Sequence, residues 1–176
     1  MGTAPEDRVQ IEPLAAQDVA QLAALAREIW FAHYPAIISV AQIEYMLAER
    51  YDAGVVLAEL QRDGMWWDKL MVAGEMTGFA SYFLTGVPEE MKLDKLYVHP
   101  RLQRRGYGGM MITRACAVAR SRGCSRLVLA VNKNNRDAIA SYLKHGFRVA
   151  DAVVKDIGGG FVMDDYIMVK PVMGDE

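Results

Sequence analysis

Within nine residues the chain sets three arginines, Arg101, Arg104 and Arg105, beside three glycines, Gly106, Gly108 and Gly109. The segment follows an extended run, residues 92–98, that is stopped by His99-Pro100. It precedes a stretch, Tyr107 to Arg122, whose apolar residues Met110, Met111, Ala115, Val118 and Ala119 recur at helical spacing. Glycine lets a backbone approach a ligand closely. The first turn of a helix offers amide hydrogens and the positive end of a dipole. Such a strand–loop–helix junction suits a pyrophosphate, with the arginines adding local positive charge. It is not a Walker loop, because no Gly-Lys-Ser/Thr occurs. It is not the dinucleotide fingerprint either, since no βαβ unit opens here at the first strand.

A second constellation follows the apolar run Leu127-Val128-Leu129-Ala130-Val131, which reads as a buried strand. Asn132 and Asn135 precede a helical period from Arg136 to His145 that carries Ala138 and Tyr142 and ends at Gly146-Phe147. The asparagines can cap that helix and satisfy turn backbone. Tyr142 reads from spacing alone as core on an amphipathic helix.

Together, Val98-x-Pro100 with Gln103-Arg104-Arg105-Gly106-Tyr107-Gly108, and Asn135, Ala138, Tyr142 and Gly146-Phe147, resemble the two cofactor segments of the GNAT superfamily, the Gcn5-related N-acetyltransferases. The resemblance covers about Leu93 to Phe147. It implies a mixed central sheet flanked by helices and splayed at the cofactor-binding strands, with acetyl-CoA as acyl donor. On this resemblance Leu96, Tyr97 and Val98 lend backbone to the pantetheine arm. Gln103, Arg104, Arg105, Gly106, Tyr107, Gly108 and Gly109 hold the pyrophosphate. Asn132, Asn135, Ala138 and Tyr142 lie along the cofactor, and Tyr142, a phenol of pKa about 10, protonates the leaving thiolate. Many family members carry a glutamate on the strand before the loop; here the nearest carboxylate is Asp94, and a water chain is the alternative base.

The acceptor implied is a primary amine of a small molecule, amino-acid-like or polyamine-like. A peptide acceptor, or a non-catalytic acyl-CoA-binding domain, is the alternative. Its binding residues are expected in the aromatic-rich segment with Trp30 and Tyr34, and near Phe161 and Asp164 after the glycines 158–160, with Asp165 an equal candidate to Asp164. A hydrophobic staple and a plain hairpin loop are the structural alternatives at those two places.

The elements that must position these groups read as a mixed α/β arrangement. A strand at 9–12 is ended by Pro13. Helices are expected over 16–31, after Ser39, and over 55–62, where Val55-Val56-Leu57 could equally start a strand. Strands follow at 67–73, 78–84 and 92–98, with a turn at 74–77. The two motif helices alternate with the strand at 127–131, and strands at 147–154 and 161–169 close the order. Residues 1–8 read as a loose arm and 9–172 as a single N-acetyltransferase domain.

The bulk numbers fit. The 176 residues are 52% apolar with a net charge of -2, so no global field favours nucleic acid. No run approaches the ~18 apolar residues of a membrane span and no signal peptide is evident, so a cytoplasmic protein without membrane partners is expected. Cys116 and Cys124 form no CxxC pair and have no histidine at ligand spacing, so they read as reduced thiols and no metal is expected. A homodimer through an edge strand or a helix face is compatible with the pattern.

Overall fold

The computed structural model describes residues 8–173. The expected arm therefore lies outside the described residues except for Arg8, whose carbonyl accepts the Ala73 amide at 2.9 Å. The chain forms two compact units. One holds residues 8–82 together with Lys95–Ile112, and the other holds Phe83–Asp94 and residues 113–173. Among the described residues, seven strands pair in the order β1-β2-β3-β4-β5-β7-β6 in one sheet.

In the first unit, β1 (Val9–Pro13) pairs antiparallel with β2 (Met65–Val72), Val9 opposite Val72 and Pro13 opposite Asp68. The first helix was expected over 16–31. Its opening residues Ala16–Asp18 instead form a 3-10 turn, with Asp18 Oδ2 accepting the Ala15 amide at 2.8 Å, and α1 runs Val19–His33. Its buried stripe is the expected Leu22, Leu25, Ala26 and Ile29, joined by Val19 and Trp30. Ser39 caps α2 (Val40–Arg50) by accepting the Gln42 amide at 3.1 Å. The third helix, α3 (Ala53–Leu60), starts and stops two residues earlier than expected. Asp52 caps it, accepting from the Val55 amide at 3.2 Å. The turn after β2 is also displaced. It is Ala73-Gly74, both at positive φ (52° and 78°), so β3 begins at Glu75 and continues to Leu84. Paired positive φ values match the twist of a two-residue hairpin, and alanine gives no hint of that conformation in sequence.

Strand alternation sorts this unit's core. Leu70, Val72 and Ala80 pack with Leu102 and Met111, with Leu96 and Val98 of β4 (Glu90–Val98) against them. The odd-numbered Trp67, Phe79 and Tyr97 turn to the other face and meet Trp30 and Tyr51. Only one of the adjacent tryptophans joins that core: Trp67 is buried, whereas Trp66 stacks on Tyr82 and stays partly exposed.

In the second unit, β4 pairs parallel with β5 (Arg126–Asn132) over Glu90–Lys92 and Arg126–Val128. β5 pairs antiparallel with β7 (Phe161–Pro171) along its whole length, and β7 with β6 (Arg148–Gly158). The glycines after Asp156 were expected to make a flexible loop. They form a tight turn instead: Gly158 faces Phe161 across Gly159-Gly160, both at positive φ, and β6 runs four residues past its expected end.

Both helices of this region end on the same device. After α4 (Tyr107–Ser121), Gly123 at φ 75° directs its amide to Arg120 O and the Cys124 amide to Ala119 O. After α5 (Arg136–Lys144), Gly146 at φ 90° directs its amide to Leu143 O and the Phe147 amide to Tyr142 O. This is the Schellman arrangement, and its accompanying apolar contact is the Tyr142–Phe147 ring pair at 5.5 Å. Lys170 Nζ, 2.6 Å from His145 O, neutralises the same helix end.

Candidate active site

The junction singled out in sequence belongs to the first unit and is held from three sides. Leu102 is buried in the core cluster just described. His99 Nδ1 accepts the Arg101 amide at 3.3 Å, so Nε2 carries the hydrogen it donates to Glu28 Oε1 of α1 at 2.8 Å. Gln103 Nε2 donates to the Val98 carbonyl at 3.2 Å, tying the loop to the end of β4. Arg101 is taken by Glu75 at 2.9 Å, which leaves Arg104 and Arg105 exposed, without an ion pair among the described residues.

The backbone then enters α4 through two left-handed residues, Arg104 at φ 64° and Gly106 at φ 85°. A non-glycine there costs about 1–3 kcal/mol and persists only where its surroundings hold it. Met110 N–H closes the first helical bond on Gly106 O at 3.1 Å, so the Tyr107 and Gly108 amides precede any i−4 carbonyl of the helix. A Cβ built on Gly106 or Gly108 meets no protein atom within 4 Å. Open space, amide hydrogens and two uncommitted guanidinium groups thus coincide at one helix start. The donors are those a pyrophosphate requires.

Along β4 the His99 amide bonds Thr77 O at 2.8 Å, so alternation turns the backbone of Leu96 and Val98 away from β3. Their side chains belong to the core, so these residues have only backbone to lend. Tyr97 turns its ring among the aromatics, 5.8 Å from Trp30 and 5.4 Å from Phe79, and its hydroxyl lies 2.9 Å from that of Tyr34. Burial, with Tyr34 and Tyr51 beside it, pushes the Tyr97 phenol well above its ordinary value, so it remains protonated and able to donate. Trp30 is buried, its ring against Tyr34 at 4.6 Å, whereas Tyr34 is half-buried.

Sequence reasoning passed over Lys95. It is buried, with its ammonium 4.9 Å from the Trp67 ring and 5.8 Å from that of Tyr51. The available signal was the two-residue period: Met91, Leu93, Lys95 and Tyr97 share one face of β4.

In the second unit, Asn132 Oδ1 accepts the Asn134 amide at 2.9 Å and so shapes the turn. Asn135 is buried, and its side chain does not cap α5 as expected; its carbonyl instead accepts the Ile139 amide at 3.1 Å. Ala138 and Tyr142 are half-buried on α5. Asp94 is half-buried on β4. Phe161 opens β7, and Asp164 is bound to Lys133 at 2.7 Å, which raises the lysine pKa through that hydrogen bond. Cys116 and Cys124 are buried thiols whose pKa values burial pushes up, the opposite of what a nucleophile needs. Among the described residues no helix is long and apolar enough to cross a membrane.

A sequence model described as the acetyltransferase (GNAT) family matches residues 21–147 and so runs through both units. A spermidine N(1)-acetyltransferase of Thermoplasma acidophilum is 26% identical over 162 residues, covering 89% of this chain and 96% of that protein. Among solved structures, the PaiA N-acetyltransferase of Thermoplasma acidophilum in complex with coenzyme A superposes with a TM-score of 0.80 at 24% identity, covering 93% of this chain and 99% of that one. A GCN5-related N-acetyltransferase of Rhodopseudomonas palustris gives 0.78, also at 24%, covering 97% and 99%. The ribosomal-protein-S18-alanine N-acetyltransferase of Escherichia coli gives 0.70 at 20%, covering 96% and 97%.

Proposed function

Because the chain belongs to the acetyltransferase (GNAT) family, we propose that it transfers the acetyl group of acetyl-CoA to a primary amine of a small molecule, with residues 9–172 acting as one catalytic domain. The observation that carries this reading is the helix start at Gly106–Gly108, where open space adjoins unengaged arginines. The 26% identity to a spermidine acetyltransferase over most of both chains supports an amine acceptor; amino-acid-like and polyamine-like molecules are the two classes in view.

Acetyl-CoA, when bound, supplies a thioester activated toward amines. The first-turn amides of α4, with Arg104 and Arg105, hold its pyrophosphate. The Val98 amide, turned away from β3, is the donor we assign to the thioester carbonyl. An alkylamine at neutral pH is mostly ammonium, so a proton must leave before attack. Asp94, or a water chain, takes it. Tyr142 would supply a proton to the departing sulfur, and the second proton shed by the amine nitrogen as the amide forms would restore the phenol. The Schellman contact with Phe147 fixes the orientation of its ring.

Thiol release from acetyl-CoA, measured across polyamines, amino acids and short peptides, tests the proposal. Turnover with polyamines or amino acids supports it. Turnover with peptides alone replaces the small-molecule acceptor by a protein one. Tight acetyl-CoA binding without turnover on any acceptor leaves a binding domain and refutes the catalytic reading.

A further inference from the structure

Among the described residues the sheet ends on β6, whose outer edge pairs with no other strand. Of its eleven residues only Ile157 is not exposed, and Val149, Val153 and Val154 are 46%, 37% and 69% accessible. A long apolar edge is a liability that proteins usually blunt or pair. We propose that β6 pairs with β6 of a second copy of this chain, antiparallel about a two-fold axis through Val153.

The register follows from symmetry and charge. A two-fold axis perpendicular to a sheet keeps each side chain on its own face. Residues opposite one another must also share a face, so the axis has to pass through a residue and not between two. Alternation along β6, registered on β7, puts Asp151, Val153 and Lys155 on one face and Ala152, Val154 and Asp156 on the other. An axis through Asp151 or Lys155 sets like charges opposite each other. An axis through Ala152 sets Asp151 against Val153, and one through Val154 sets Lys155 against Val153. An axis through Val153 alone places Asp151 opposite Lys155 twice, Val153 opposite itself, and Ala152 opposite Val154. The irregularities of β6 fall outside this stretch, between Val149 and Asp151 and between Asp156 and Gly158, so the segment that pairs is regular. Asp151 Oδ1 accepts the Ala152 amide at 2.8 Å; pairing hands that amide to a carbonyl of the second copy and frees both oxygens of Asp151 for the lysine. The charges that repel an arbitrary strand thus admit this one.

Sedimentation equilibrium over a concentration series tests the pairing. The parent protein is expected to form a dimer. Asp151→Lys turns two attractive contacts repulsive and is expected to weaken the dimer by about 30-fold in Kd. The double variant Asp151→Lys, Lys155→Asp restores both pairs and is expected to return Kd to within a few-fold of the parent. Both positions are exposed, and unchanged circular dichroism verifies folding. A parent that is monomeric to several hundred micromolar, an Asp151→Lys variant that dimerises like the parent, or a double variant no tighter than the single would each overturn the proposal. None of these readouts depends on acetyl transfer.

Discussion

Gly108 offers the cleanest separation of ligand binding from folding. It is the second residue of α4, its φ is not left-handed, and a Cβ there meets nothing within 4 Å. Alanine is therefore sterically free and a better helix former, worth about 0.5 kcal/mol or a rise of about 1–2 °C in Tm for a chain of this size. Its methyl group nevertheless stands where an anion must approach the first-turn amides, so acetyl-CoA affinity is expected to fall several-fold while stability rises. Glutamate goes further. A carboxylate about 5 Å from a doubly charged pyrophosphate, at an effective dielectric of about 40, costs roughly 3 kcal/mol, or about two orders of magnitude in Kd. Isothermal titration with acetyl-CoA, paired with thermal melts of the parent, Gly108→Ala and Gly108→Glu, reads both quantities. A Gly108→Glu protein that melts with the parent and binds acetyl-CoA within threefold of it would refute the assignment of the anion site.

Three further outcomes follow from named contacts. Tyr142→Phe keeps the ring against Phe147, so melting and acetyl-CoA affinity should hold while kcat falls by about 10²-fold; an unchanged kcat removes the phenol from the acid role. Gly78→Ala drives a Cβ to 2.7 Å from the Tyr97 carbonyl and against Leu70, and is expected to cost about 1–3 kcal/mol and several degrees of Tm; an unshifted melt would show that β4 yields there. Burial raises the Asp18 pKa, but the hydrogen bonds from Lys69 and the Ala15 amide outweigh that and hold it below the usual carboxylate range. A depressed carboxylate stabilises the fold above its unfolded pKa, near 4, and loses that contribution as pH falls through the folded value. Asp18→Asn should therefore lower Tm at pH 7, by about 1–2 kcal/mol equivalent, and converge on the parent in acid melts; a constant offset between pH 7 and 3 would contradict this sign.

Glycine was the most informative residue in the sequence where it follows a helical period. Gly123 and Gly146 stop α4 and α5 where read, because left-handed termination is what glycine permits. Left-handed residues that are not glycine were invisible: Ala73 displaced the β2–β3 turn, and Arg104 carries the loop before α4 through a conformation its side chain does not advertise. Asn135 was read as a cap from its type, but its side chain does not cap and is buried instead; residue type alone does not distinguish a capping asparagine from a packed one. Part of the second motif also has a structural reason. Tyr142, Gly146 and Phe147 are the C3, C′ and C″ residues of one helix terminus, so their spacing is demanded by the cap whatever Tyr142 does chemically.

That distinction bears on why the sequence singles out a candidate cofactor loop and leaves the acceptor open. Anion binding at a helix start is done by backbone, and backbone conformation leaves a compositional trace in glycine and arginine. Acceptor recognition is done by side chains brought together from distant segments, with no fixed spacing. The aromatic residues of the first unit show the consequence. Trp30 looked like a surface for a substrate cation, yet it is buried, and the unit already holds a cation of its own: Lys95 lies over Trp67 and Tyr51. An internal ammonium on those faces competes with any external one. The amine panel therefore reports on packing as much as on chemistry. A polyamine acceptor must find its carboxylates away from Lys95, whereas an acceptor bearing its own carboxylate has no such conflict.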